Sequence, residues 1–379
     1  MSGIAITGGG VFCGQVKTQN IPELLSSDPQ MPSASDFEEL GTAKRKVVRN
    51  LAREDRSILT EPAAQCLQSA IDAFEIAEAV SPIGEDQREN MAVYTSAERE
   101  REFPAELWQL VHNCERETKP EVGDVLSEIG HLRTAIHPLA LFKRLPTSVL
   151  YHISKYFKLR GGGYPFQRMS LGGICMLEEA CATISRGRIE GAVLSAYGNM
   201  NSLDNRLAFT KMGLVRNQAH DDGIVPSMGA ASVVMEPLEQ VEARNAQPLA
   251  VIKRVHSRYS DKMHANSEDW IDFYRQTFAD LAGTSPIVIC YDNGIAKAGE
   301  DEHFAINQFF NNPLTFSYKK YVGYTGQPNN LIDLVFTLLD PSIPLERPVI
   351  LNGVGSSSGI GAMLFEKRNE AIPLTKKAA

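Results

Sequence analysis

Ser170 stands where a strand-like stretch gives way to an amphipathic helix. Tyr164-Pro165-Phe166-Gln167-Arg168-Met169 precedes it, and Leu171-Gly172-Gly173 leads into a run that ends Ile184-Ser185-Arg186-Gly187. At such a junction the orphan N–H groups and the helix dipole favour negative charge, so a cysteine there becomes a thiolate nucleophile. A serine hydroxyl is too weak an acid for that and needs a positioned general base. Its other reading is structural, because serine is a preferred N-cap whose oxygen accepts a first-turn N–H. The eight histidines, His112, His131, His137, His152, His220, His256, His264 and His303, are scattered without metal-ligand spacing, so each reads as packed or solvent-exposed. Six cysteines occur without any CxxC or CxxH pair. Cys175, Cys181 and Cys290 lie in apolar segments as small hydrophobes, which points to a reducing compartment. Neither a metal nor a resident cofactor is expected.

Other chemistries fit less well. Thr7-Gly8-Gly9-Gly10-Val11-Phe12-Cys13-Gly14 follows a strand, but it lacks the dinucleotide fingerprint and no helix with a ribose-binding acid follows. A net charge of −8 without a basic stripe argues against nucleic acid. Lys44-Arg45-Lys46, with Arg49 and Arg53, has Val47, Val48 and Leu51 interleaved and reads as a solvated helix face rather than a docking patch. The N-terminus lacks the charged flank and long apolar core of a signal peptide. No run approaches the roughly 18 apolar residues of a membrane span. A cytoplasmic protein is the expectation.

The elements that must position Ser170 repeat as a set. Of the 379 residues 43% are hydrophobic and 22% charged, enough for one or two substantial cores. Short apolar runs at Ile4–Thr7, Met91–Thr95, Ala192–Ala196 and Ala231–Met235 alternate with helical material. The cadence returns at Leu249–Ile252, Ile287–Cys290, Val349–Leu351 and Ala362–Phe365. These read as buried strands of largely parallel α/β sheets. Leu194-Ser195-Ala196-Tyr197-Gly198-Asn199 against Leu351-Asn352-Gly353-Val354-Gly355-Ser356 is a weak internal duplication. The join falls in the polar stretch Glu239–Gln247, dividing the chain into halves 1–240 and 248–379.

The junction resembles the nucleophile elbow of the β-ketoacyl synthases, Thr-Ala-Cys-x-Ser-Gly followed by a helix carrying an acidic or polar residue and Ala, then Ile, then Gly. Counted back from Ala180 and Gly187 without a gap, the family's cysteine falls on Ser170. The family's Lys-x-x-x-Gly-His motif is matched by Lys319-Lys320-Tyr321-Val322-Gly323-Tyr324, so Tyr324 replaces a histidine. The HGTGT histidine, counted back from Gly299-Glu300, falls on Asp292, with a register open by about one residue. An aspartate there would repel a malonyl carboxylate and its enolate. Asp222-Gly223-Ile224-Val225 followed by Gly229-Ala230-Ala231 is similar to a further family stretch, with Ser227 and Met228 in place of Gly-Glu. Asn352–Gly359 corresponds to the family's oxyanion loop, where Ser356 replaces a gating phenylalanine.

The resemblance covers essentially the whole chain. It implies the thiolase-like α/β fold, two related halves in a five-layer αβαβα arrangement. With cysteine and both histidines gone, it implies a pseudoenzyme without catalytic residues, similar to the chain-length factors of type II polyketide synthases and most like those of aryl polyene and related polyene pathways. Such a subunit pairs with a catalytic ketosynthase as a heterodimer or heterotetramer and shapes the tunnel for an acyl chain. That chain would ride on the phosphopantetheine of an acyl carrier protein docked mainly on the partner. Tunnel lining would come from Phe103, Leu107, Leu110, Val111 and Cys114, which recur at helical spacing and are equally readable as ordinary core. Two other readings stay open: a ketosynthase-fold acyltransferase or hydrolase using Ser170, and a stand-alone acyl-binding scaffold.

Overall fold

The computed structural model describes residues 3–13, 16–27, 51–98, 145–216 and 222–369. The strands are β1 (Ile4–Cys13), β2 (Val16–Lys17), β3 (Met91–Ala97), β4 (Gly191–Asn199), β5 (Met228–Pro237), β6 (Ala250–Arg258), β7 (Ile287–Ile289), β8 (Leu314–Phe316), β9 (Pro348–Gly355) and β10 (Gly359–Lys367). The longer helices are α1 (Glu61–Val80), α2 (Thr147–Phe157), α3 (Gly172–Ser185), α4 (Leu203–Lys211), α5 (Ser267–Thr277), α6 (Ala296–Phe309) and α7 (Asn329–Leu339). Strand order is β3-β4-β5-β1-β6-β10-β9-β7-β8, with β2 pairing β1.

That order is palindromic about the β1–β6 seam. From one edge it runs β3-β4-β5-β1, and from the other, inside β8, it runs β7-β9-β10-β6. Directions agree as well: β3–β4 and β7–β9 are parallel, while β4–β5 and β9–β10 are antiparallel. The two strand ends whose sequences look alike, in β4 and β9, hold the same place in each set. The expectation of largely parallel sheets needs correcting, because among the described strands only β3–β4, β7–β9 and β7–β8 run parallel. An apolar run reports that both faces of a strand are covered, and helices cover antiparallel strands here equally well.

Three apolar clusters, the central one spanning both faces of the middle helices, hold together five layers of structure. Alternate residues of each strand face opposite ways. In β3 and β4, Val93, Val193 and Tyr197 pack with Leu67, Ala70 and Phe74 of α1 and Val149 and Ile153 of α2. Tyr94 and Leu194 face the middle layer, where Leu177 and Ala180 of α3 and Leu331 and Val335 of α7 meet Leu351 and Phe365 of the second set. Beyond that set, Val288, Ile350 and Leu364 pack with Trp270 and Phe273 of α5 and Ile306 of α6. All residues of α7 are buried, its apolar side chains in the core and its polar ones paired inside, as Asp333 is with Lys319 and Asn330 with the Asn352 carbonyl. The chain thus has the thiolase-like αβαβα fold.

The glycine run in β1 serves packing. A Cβ on Gly8 or Gly10 would stand 2.0 Å from the Ala73 carbonyl oxygen or 2.1 Å from that of Ser69, so only glycine lets α1 lie this close. The strand consequently runs through the glycines to Cys13, with an irregularity between Ile6 and Gly8, where periodicity had ended it at Thr7. Elsewhere β10 is likewise longer than its apolar core.

Candidate functional site

Beside β3 the segment ahead of Ser170 runs parallel to Thr95, with Phe166 N–H donating to the Thr95 carbonyl at 2.6 Å. The chain then turns through Met169, a non-glycine residue at φ 48° with its side chain mostly exposed. Ser170 follows in a single 3-10 turn (Met169–Leu171) that leads into α3. A Cβ on Gly172 would meet the Ser96 Oγ at 2.2 Å, so this glycine presses the start of α3 onto β3. The result is a strained, closely packed elbow.

Ser170 is buried, and its Oγ donates to the Val354 carbonyl of β9 at 2.6 Å. No side chain caps α3 or the turn before it. The N-cap role expected for Ser170 is therefore corrected: the 3-10 turn occupies the chain's entry to the helix, and the hydroxyl reaches across to β9 instead. The group that the Asn352–Gly359 loop turns toward this hydroxyl is an acceptor, where an oxyanion hole needs donors.

Two phenols complete the surroundings. Tyr291 OH lies 3.3 Å from Tyr324 OH, with the rings edge to face at 6.5 Å. Burial drives the Tyr291 pKa well above its usual value and raises that of Tyr324, while contacts with the Ser170 hydroxyl pull both back in part. Both phenols are neutral donors at ordinary pH. Phe209 of α4 packs edge to face on Tyr324 at 6.3 Å.

Ser170 and Tyr324 are thus brought together, but Asp292 is not the third member. Its φ is 30°, its N–H donates to Glu302 Oε2 at 3.2 Å, and its carboxylate lies beside Gly299 of α6. Tyr291, one residue earlier, is the group at the serine. Counting from Gly299-Glu300 could not place it, since one residue of slack in the Tyr291–Ile295 turn shifts the register. Ser356 is exposed in the turn after β9, where its Oγ bonds Met263 Sδ at 3.2 Å. The stripe Phe103, Leu107, Leu110, Val111 and Cys114 lies outside the described residues.

Behind the phenols sits a buried polar frame. Lys319 Nζ pairs with Asp333 of α7, both side chains nearly inaccessible at 2% and 0%. The same ammonium lies 5.5 Å over the Tyr291 ring, a cation–π arrangement. Glu302 accepts the N–H groups of Tyr291 at 2.8 Å and of Asp292, and the Asn352 Nδ2 at 2.7 Å. Burial raises its pKa, and these donors oppose the rise.

The segment Asp222–Ser227, singled out in the sequence by its family likeness, has a concrete task. Val225 O and Ser227 N bracket the backbone of Tyr324 at 2.8 and 2.9 Å, while Asp222 Oδ1 accepts Ala296 N at 2.6 Å at the start of α6. It therefore clamps the turns that carry both tyrosines.

Among the described residues no histidine hydrogen-bonds Ser170, and no group of three or more His, Cys, Asp or Glu side chains is placed to hold a metal ion. Burial pushes the thiols of Cys13, Cys66 and Cys181 up to about 12, leaving them protonated. No helix of the described residues is long and apolar enough to cross a membrane. The arrangement can donate hydrogen bonds to a carbonyl or phenol oxygen. Among the described residues it holds no base hydrogen-bonded to the serine.

No family model matches the chain, and no curated protein matches it. Solved structures do. A β-ketoacyl synthase from Burkholderia phymatum superposes with a TM-score of 0.75 at 15% identity, over 97% of this chain and 100% of that one. The ishigamide ketosynthase/chain length factor gives 0.72 at 15% identity, over 97% and 99%. A type II polyketide ketosynthase bound to a hexaketide, in complex with its acyl-carrier protein, gives 0.69 at 13% identity, over 97% and 99%. The fold is that of the ketosynthases, shared end to end.

Proposed function

We propose that the chain is a non-catalytic chain-length-factor subunit that pairs with a catalytic ketosynthase and shapes the tunnel for a growing polyketide or polyene acyl chain. One observation carries this reading: the Ser170 hydroxyl donates its hydrogen bond to a backbone carbonyl and has two neutral phenols for company. Decarboxylative condensation needs a thiolate and donors matched to a developing enolate. Among the described residues neither a thiol nor a histidine hydrogen-bonds Ser170. An acyltransferase or hydrolase using Ser170 would need a base, and its hydrogen bond runs to an acceptor that cannot take the proton.

The fold-level likeness to a ketosynthase/chain length factor supports the pairing, by analogy of fold. The subunits would assemble as a heterodimer or heterotetramer, with residues 1–240 and 248–379 as two related units and the acyl carrier protein docking mainly on the partner. The acyl chain would arrive on that carrier's phosphopantetheine, and the pathway class favoured is aryl polyene or a related polyene. Co-expression with a ketosynthase that retains its Cys-His-His set, followed by pull-down, tests the reading. Stable co-purification and condensation by the pair, with none by this chain alone, is the expected result. Condensation or acyl transfer by the isolated chain would overturn it.

A further inference from the structure

The surroundings of Ser170 are closed as well as altered. Ser170 and Tyr291 are 2% and 5% exposed, with Tyr324 partly buried at the outer side. The Tyr324 ring is held edge to face by Phe209 on one side and Tyr291 on the other. Its backbone is clamped by Val225 and Ser227. Tyr291 in turn is fixed by Glu302 through its N–H and by Lys319 against its ring. On the flank bounded by His264, Asp292, Glu302 and Val354 the free space is about 20 Å³, room for one water molecule. A separate cavity of about 250 Å³ is lined by Arg258, Lys262, Val354 and Gly355 among others. It shares with the elbow Val354, whose carbonyl accepts the Ser170 hydroxyl.

We propose that Tyr291 and Tyr324 plug the chamber in front of Ser170 and close this chain's own elbow to an acyl thioester. A thioester at this elbow would need its carbonyl carbon within about 3–3.5 Å of the position-170 side chain, where the phenols already stand. Two rings fixed on several sides cannot both yield without uncovering the Lys319–Asp333 pair. The plug makes exclusion a built property of the fold, separate from the loss of the nucleophile. Only the identity of the excluded ligand rests on the reading proposed above; the closure itself is a property of this chain alone.

Ser170→Cys reports on it directly, because a thiol marks access without requiring catalysis. Alkylation by iodoacetamide, followed by mass spectrometry of the peptide bearing position 170, is expected to run at least about tenfold slower in the folded chain than in denaturant, as for groups reached only by local opening. Adding Tyr324→Ala should recover most of that factor, whereas Tyr324→Phe, which keeps the ring and loses the hydroxyl, should not. Alkylation of Ser170→Cys alone at a rate close to that in denaturant overturns the plug, and so does an unchanged rate in a folded Tyr324→Ala variant. Should Tyr324→Ala fail to fold, Ser170→Cys and Tyr324→Phe still decide the question. An open elbow in a chain that still co-purifies with a ketosynthase would discard the plug and leave the proposed pairing intact.

Discussion

At the scale of single residues, Ser170 is a packed hydrogen-bond donor, and the cost of removing it follows from that. Ser170→Ala leaves the Val354 carbonyl and two phenols short of a partner, so about 1–3 kcal/mol of stability should go, read as a lowered denaturation midpoint at unchanged m-value. Condensation by a ketosynthase complex should be unaffected. Lys319→Met alone strands Asp333 in the interior and should cost about 3–5 kcal/mol, whereas adding Asp333→Leu should recover part of that loss; a double-mutant cycle in urea checks it. The serine and the lysine at their positions were legible from motif spacing, as was the tyrosine at 324. Tyr291 was not, because spacing is counted along the chain, whereas the turn through Asp292 (φ 30°) and Gly294 decides which side chain reaches the serine. The direction in which a hydroxyl points is likewise invisible to sequence: serine before a helix reads as a cap, yet here its partner is 184 residues away.

Among the elements, α5 offers the clearest electrostatic test. Asn266 caps Asp269 N at 2.9 Å, Asp269 accepts Asn266 N–H at 3.1 Å, and Lys262 Nζ pairs with Asp269 at 2.7 Å, a capping box reinforced by charge. Burial pushes the Asp269 carboxyl up, but Lys262 and the Asn266 N–H outweigh it and hold the pKa below the ordinary value of 3.8. A depressed folded pKa stabilises at pH above 3.8, and this contribution fades as pH falls through the lower folded value. Asp269→Asn should therefore lower stability at neutral pH and flatten the acid limb of stability against pH, measured by thermal unfolding between pH 2 and 6, a range set by ordinary carboxylate values of about 3.9. Elements were legible where periodicity is strong: every strand core read from apolar runs lies within or against an observed strand. Their ends and directions were not, since β1 continues through glycines that exist for α1's approach, and burial on both faces looks the same in parallel and antiparallel pairs.

At the scale of the whole molecule, the duplicated αβαβα plan was legible from cadence and resemblance together, while quaternary structure is proposed. If residues 103–114 line the tunnel, Phe103→Ala or Leu107→Ala co-expressed with the ketosynthase should lengthen products, and enlarging a small neighbour should shorten them, because packed walls resist added volume by about 1–3 kcal/mol. Mass spectrometry of products decides; an unchanged distribution across well-folded variants returns the stripe to the core. The palindromic strand order has a further consequence, in time. β1 precedes the other described strands in the chain, yet beyond the two-residue β2 at its far end its ladder partners are β5, where Ile4 meets Pro237, and β6, where it meets Ile252. Apart from its short pairing with β2, this strand therefore waits for its sheet neighbours until β5 and β6 have left the ribosome. Its closing step must recruit the most distant contacts in sequence, which slow folding most. The seam that joins the two sets is consequently among the last parts of the molecule to form, and among the described residues an N-terminal fragment ending before β5 offers β1 only the two-residue β2 as a ladder partner.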